Sequence, residues 1–314
     1  MPDGRGRGPT APRARGRGGP GQPGPGRVAV RREAGAGSGL VQSGPFPGHE
    51  SGPSRTDRPR RIGSRRAPVS GHNCSVDDVA TRIWQQLGAS LHAGPSPHAT
   101  AAAVAVAAAL ATVLLGPAWR VLRVVVTLVH ELGHALVGLA AGRRFAGFTV
   151  NPDMSGATTT SGATRGPGLV LTTLAGYPMP AVVGAAIVHA ATGGYARGVL
   201  VGIAVVLLLV LVRARSAHTV TVLLGALAAD LALWWFAGSA PVGAAVLGLG
   251  VFLLAGAWRQ LVNVARHGDR SQDPGVLAAR THVPAAVWVL CLGAVLAAAT
   301  WWAGCSLAPF LPLP

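Results

Sequence analysis

The chain of 314 residues is 50% hydrophobic and only 12% charged, with a formal charge of +16 and a mean hydropathy of +0.42. An ordinary soluble domain carries roughly 25% charged residues, so half that share with a positive hydropathy excludes a soluble basic protein. The charge is also unevenly placed: residues 1–70 hold fourteen of the 27 basic residues, all of them arginine, against Asp3, Glu33, Glu50 and Asp57.

In chain order, residues 1–70 interleave arginine with 16 Gly and 11 Pro. Such a segment buries too little apolar surface to offset chain entropy, and it reads as a disordered basic arm. The arm is able to touch anionic lipid. With Phe46 as its one aromatic residue it has nothing on which to stack bases, so no specific nucleic-acid partner is expected. It contains no apolar stretch of the kind a secretory signal peptide needs. Residues 71–97 read as a polar linker with a short helix around Val76–Leu87. Cys74, Cys291 and Cys305 show no paired spacing, so neither a disulfide framework nor a cysteine metal site is expected, and Cys291 reads as a small packed hydrophobe.

From about residue 98 the composition becomes that of a multi-span membrane domain, 98–304, with a short tail at 305–314. Apolar runs fall near 99–117, 121–141, 168–191, 198–212, 219–237, 241–257 and 284–303. Most approach the ~20 residues that cross ~30 Å of hydrocarbon, so the fold class is all-α and polytopic with about seven transmembrane helices, six to eight. Strict alternation with a cytoplasmic N-terminus puts Arg143, Arg144, Arg165, Arg213, Arg215, Arg259, Arg266, Arg270 and Arg280 in inner loops. Only Arg120, Arg123 and Arg197 then fall outside, as the positive-inside rule asks. The absence of lysine suits an arginine-biased bacterial genome and a bacterial plasma membrane. Gly176, Pro178 and Pro180 predict a kink in the third span, and the β-prone Phe145–Val150 and Ala157–Thr160 read equally as a β-hairpin or as a cytoplasmic loop between the second and third. Trp234, Trp235, Trp288, Trp301 and Trp302 fit an interfacial belt.

The second span contains His130-Glu131-Leu132-Gly133-His134, an HExxH pattern. On a helix, positions i and i+4 share a face, so both imidazoles reach one Zn²⁺, and Glu131 beside them is placed to take a proton from water at the metal. With 10 His and three glutamates in the chain, random placement yields on the order of 0.003 such matches. Ionisable groups are costly inside a span and mark function by default. The alternatives are a polar knot between helices or a metal held without catalysis. Two imidazoles leave the metal one protein ligand short. The acids after residue 140 are Asp153, Asp230, Asp269 and Asp273. Depth along the spans favours Asp230, some twelve residues into the fifth run, over Asp273 in an inner loop.

These residues resemble the site-2 protease family of intramembrane zinc metalloproteases, above all its compact bacterial branch. The resemblance covers about residues 100–303. Besides His130-Glu-Leu-Gly-His-Ala it rests on Asn151-Pro-Asp-Met-Ser-Gly-Ala-Thr, on Leu174-Ala-Gly-Tyr-Pro-Met-Pro and on Asp273-Pro-Gly-Val-Leu-Ala-Ala-Arg-Thr-His-Val-Pro. It implies zinc held by His130, His134 and a late aspartate, which by position is Asp273, with Asp230 as the alternative. It implies Glu131 as general base and acid. The wider family's Asp-Gly is here Asp273-Pro274-Gly275, a departure from the pattern. The expected function is a zinc-dependent endopeptidase cutting membrane-spanning or membrane-adjacent substrates, its partners being such a protein or peptide and the lipid bilayer. A non-catalytic membrane protein with a structural or regulatory metal is the alternative. A transporter is a further one, but it would show repeat symmetry, and none is evident.

Overall fold

The computed structural model describes residues 76–268 and 270–310, which fall in one compact unit; the expected arm at 1–70 lies outside the described residues. The helices are α1 (Val76–Ser90), α2 (Ala99–Leu114), α3 (Gly116–Ala140), α4 (Pro167–Leu174), α5 (Pro178–Thr192), α6 (Ala196–Leu211), α7 (Ala217–Phe236), α8 (Ser239–His267), α9 (Asp273–Thr281) and α10 (Ala285–Leu307). A hairpin of β1 (Arg144–Val150) and β2 (Gly156–Ser161) separates α3 from α4, and a 3-10 turn at Ala308–Phe310 closes the described chain.

Glycine and proline set the helix ends. Pro117 opens α3 directly after α2, and Pro178 opens α5 directly after the break that follows α4. A proline in the first turn loses no hydrogen bond, whereas one in a helix interior ends it. α8 runs past its apolar stretch and stops at Gly268, which caps it in the left-handed conformation at φ 62°. Four helical segments are long and apolar enough to cross a bilayer: α3, α7, α8 and Ala285–Phe310. α4 and α5, bent by 58° at their break, make a fifth if counted as one span. α2 and α6 are apolar but only 16 residues each. The expected seven spans therefore become four, or five with the bent pair. The run at 99–117 is cut short where Leu115 ends α2, and the run at 198–212 is a helix of only 16 residues.

The core lies where α5 and α8 meet, with Val188, Leu247 and Leu253 fully buried. Small residues let their backbones approach: a Cβ on Gly184 would stand 2.5 Å from the Gly250 carbonyl oxygen, and one on Gly250 2.8 Å from the Gly184 carbonyl. Close approach through small residues is how apolar helices associate when lipid leaves no hydrophobic drive between them. α2 lies parallel to α8: Pro97 faces Gly243, Ala105 faces Gly248, and Arg259 donates to the Val113 carbonyl. Trp119 and Val126 of α3, roughly 10 Å apart along the helix, both meet Gly256, so α3 crosses α8 steeply.

This corrects the alternation expected from sequence, in which α2 and α3 run as an antiparallel pair. The start of α2 sits with the end of α5 and the start of α6, where Gly94 N–H donates to Gly194 O at 2.9 Å and Ser96 Oγ donates to Thr192 O at 2.8 Å. The end of α10 lies at the same level, with Ser306 against His189. Arg143 and Arg144 at the hairpin, Arg213 and Arg215 after α6, and Arg266 and Arg270 at the end of α8 lie at the opposite end, and Arg123, which alternation puts across the membrane, donates to Asp153 O of the hairpin. Cys291 and Cys305 are free and exposed on α10, so Cys291 is not a core residue. Trp234, expected in an interfacial belt, is buried and donates to Ser90 Oγ at 3.0 Å.

The β-prone residues between α3 and α4 form the hairpin rather than a loop. Its strands pair from Arg144↔Ser161 to Val150↔Gly156, with a bulge between Phe145 and Gly147. The outer edge of β1 is covered: Phe148 exchanges backbone hydrogen bonds with Arg213 and Arg215, and Val150 N–H donates to Thr219 Oγ1 at 2.9 Å. Along α3 the hairpin is held by Thr127 Oγ1 on Met154 O and Thr158 Oγ1 on Glu131 O, each at 3.0 Å.

Enlarging the α5–α8 contact tests this packing. Overfilling a tight site costs about 1–3 kcal/mol. Gly184→Leu is therefore expected to lower the thermal midpoint in detergent by several degrees. Gly202→Ala and Gly225→Ala, where a Cβ meets nothing within 4 Å, should leave it within error.

Candidate metal centre

Helical spacing puts His130 and His134 on one face of α3, and their Nε2 atoms stand 3.1 Å apart. Gly133, between them, admits the neighbouring chain: a Cβ there would lie 2.7 Å from Ala175 O and from Met179 Cβ. What it admits is the break between α4 and α5. Carbonyls in the last turn of a helix lack the usual partner four residues on. One of them, Thr172 O, accepts a hydrogen bond from His134 Nδ1 at 2.7 Å. Because a carbonyl can only accept, the proton of His134 is on Nδ1, and Nε2 keeps its lone pair. Gly176 completes the approach. A Cβ at that position would sit 2.5 Å from the Nε2 atoms of both histidines, so the break passes directly over the pair.

The third member comes from α9. Gly275 permits the tight return from α8, since a Cβ there would fall 2.5 Å from the Arg270 backbone. Pro274 follows Asp273 in the first helical turn, where an acid also complements the helix dipole. Asp273 Oδ2 lies 3.4 Å from Nε2 of each histidine. Tyr177 ties this helix to the break: its hydroxyl donates to Gln272 Oε1 at 3.0 Å, while its ring packs edge-on against His130 with centroids 4.7 Å apart.

His130, His134 and Asp273 form a group whose ligand atoms all lie within 4.8 Å of one another. Asp273 Oδ2 is buried with no hydrogen-bond partner. A carboxylate oxygen and imidazole lone pairs at 3.1–3.4 Å repel unless positive charge lies among them. Two nitrogens and one carboxylate are also the donor types of three-ligand catalytic metal sites. The residues present therefore fit a divalent metal ion.

Glu131 is buried beside the group on α3. Its side chain packs against the first residue of β2, where a Cβ on Gly156 would fall 2.6 Å from Glu131 Cγ. Asp230, which depth along the spans favours, is buried in α7 with Oδ2 unpartnered and is not one of the three. The depth count treats the residues before 284 as a loop. α8 instead continues to His267, and α9 returns to the broken helix. Thr172, Tyr177 and Gln272 have no signature in the sequence that marks them as supporting residues; a backbone carbonyl carries none at all, and Tyr177 stands out only within the Leu174-Ala-Gly-Tyr stretch.

The family model for Peptidase M50B-like proteins matches residues 103–303. The chain belongs to that family, the site-2 protease family. Membership implies a metallopeptidase, and the matched region contains all three members of the buried group. No curated protein matches the chain, and no solved structure does.

Substitution separates this group from its neighbours. Gly176→Ala drives a methyl into the space between the imidazoles and is expected to reduce bound metal at least tenfold, as measured by elemental analysis of purified protein whose circular dichroism is unchanged. Asp230→Asn should leave the metal content at the wild-type value.

Proposed function

We propose that this chain is a zinc-dependent intramembrane endopeptidase, with His130, His134 and Asp273 as ligands and Glu131 as the catalytic acid–base. The observation that carries the reading is the convergence of two imidazoles in HExxH spacing with an otherwise unpartnered buried carboxylate, in a chain of a metallopeptidase family. Zinc bound there supplies Lewis acidity and makes water easier to deprotonate at neutral pH.

The chain's own residues supply the rest. The Thr172 carbonyl fixes the His134 tautomer, and Gly176 keeps the space above both rings free of side chain. Glu131 accepts a proton from the water that adds to the scissile carbonyl. It then returns that proton to the amine nitrogen as the C–N bond breaks, leaving a carboxylic acid and an amine. Among the described residues, β2 makes no backbone–backbone hydrogen bond beyond its pairing with β1. Its outer edge, beside Glu131, offers those groups to an extended peptide, which matches the need for an unwound substrate. The substrate class is therefore a membrane-spanning or membrane-adjacent segment that unwinds locally.

The arginines of the hairpin and of the ends of α6 and α8, at the metal-bearing end, make that end the cytoplasmic one by the positive-inside rule. The start of α2, at the opposite end with the end of α5, then lies on the far side of the membrane. The membrane is a bacterial plasma membrane in this reading.

Glu131→Gln tests the chemistry. The variant should retain metal and lose at least about 100-fold in cleavage of a model membrane substrate in proteoliposomes, the usual range for loss of general acid–base catalysis being 10²–10⁴. Undiminished cleavage by Glu131→Gln, or wild-type protein devoid of metal, would falsify the protease reading.

A further inference from the structure

α1 is an amphipathic helix with an exposed apolar face. Val76, Val79, Ile83 and Trp84 are all exposed, Trp84 at 74%. Their spacing of 3, 4 and 1 puts them on a single apolar stripe, with Thr81, Gln85 and Ala89 on the other side. Leu87 continues the stripe inward and packs against the core. The C-terminal third of the helix is attached to the bundle. Gln86 Nε2 donates to Trp234 O at 2.6 Å, and Trp234 Nε1 donates to Ser90 Oγ at 3.0 Å.

These attachments fix the level at which α1 lies. Trp234 is in the last turn of α7, and Thr192 and Gly194, which hold Ser96 and Gly94, lie between α5 and α6. α1 is thus at the plane where the apolar helices stop. Exposed aromatic residues mark the same plane: Tyr195 immediately before α6 at 47%, and Phe236 as the last residue of α7 at 82%. Aromatic rings gather at the boundary between headgroups and hydrocarbon because one part of each prefers each medium. An exposed apolar stripe that runs into such a rim continues a lipid-facing surface.

We propose that α1 lies along the bilayer surface opposite the metal-bearing end, with Val76, Val79, Ile83 and Trp84 inserted at the headgroup–acyl boundary. The partner of this stripe is lipid. The helix serves as a depth gauge. It is clamped to the end of α7 and the start of α6, and the chain that follows it is bonded to the end of α5; α5 runs from this plane to the break over the histidines, roughly 22 Å away. Anchoring α1 in one leaflet thereby sets how deep His130, His134 and Asp273 lie in the bilayer. The inference rests on the membrane reading of the bundle and not on its being a protease.

The test uses the full chain with Cys74, Cys291 and Cys305 replaced by serine. Single spin-labelled cysteines are placed at Val79, Ile83 and Trp84 on the stripe and at Thr81 and Gln85 opposite. The protein is reconstituted in bilayers of phosphatidylethanolamine and phosphatidylglycerol, and collision of each label with oxygen and with a water-soluble nickel chelate is measured. All five positions are exposed, so labels displace little packing, and the five sites guard against loss of any one variant. Oxygen should dominate several-fold at the three stripe positions, with the order reversed at Thr81 and Gln85. Two results would overturn the proposal: nickel reaching all five sites alike, as for a helix standing in water, or stripe labels shielded from both reagents, as for a face covered by protein.

Discussion

The hydrogen bond from His134 Nδ1 to the Thr172 carbonyl is made where the helix that contains Thr172 ends. In a continuous helix that carbonyl would face the N–H four residues on. At the interruption of Ala175–Tyr177 it accepts instead from the Ala175 N–H at 3.4 Å and from the imidazole, and it sets which imidazole nitrogen faces the metal group. The same interruption puts Gly176 over both Nε2 atoms and aims the Tyr177 hydroxyl at the residue preceding Asp273. Irregular backbone at membrane depth is tolerated where it is buried in protein and its polar groups find partners. Here those partners are the functional side chains.

Charge in this molecule follows a related economy. Among the described residues, the acid that faces basic side chains most closely is Asp273, at 3.4 Å from each of the two histidines. The arginines are held instead by backbone carbonyls: Arg197 spans Trp234 O and Ala237 O at 2.7 Å each, Arg143 donates to Ala163 O at 2.7 Å, and Arg259 donates to Val113 O while lying over the Trp119 ring. Carbonyls at helix and strand ends are the unsatisfied acceptors of an apolar chain, and a guanidinium carries donors in a rigid fork that fits them. Such pairing leaves net positive charge in place. Arginines of the hairpin and of the ends of α6 and α8 lie at the end of the described bundle that carries the metal group.

The sequence was most readable where chemistry and periodicity coincide. His130, Glu131 and His134 stand out because ionisable residues are rare in apolar helices, whereas the β-prone Phe145–Val150 and Ala157–Thr160 fitted a loop as well as the hairpin they form. The break near Gly176 and Pro178 was legible from those two residues alone, although its purpose was not. The third member of the group was harder to read, since Asp273 approaches the histidines through a return of the chain, and no depth count along the helices contains that return. Resemblance pointed to Asp273 where depth pointed to Asp230. The direction of α2 was hidden for a similar reason. Hydropathy counts apolar runs but does not say which of them lie side by side, and α3 crosses the bundle steeply instead of returning along α2.

X-ray absorption at the zinc edge of the purified, metal-loaded full chain bears most directly on the central claim, that the broken helix and α9 complete a metal centre begun by HExxH. The account predicts nitrogen and oxygen neighbours at about 2.0–2.2 Å with the outer-shell scattering of two imidazoles, and a loss of oxygen scattering in Asp273→Ala. Sulfur at about 2.3 Å, a single imidazole, or a spectrum indifferent to Asp273→Ala would contradict it.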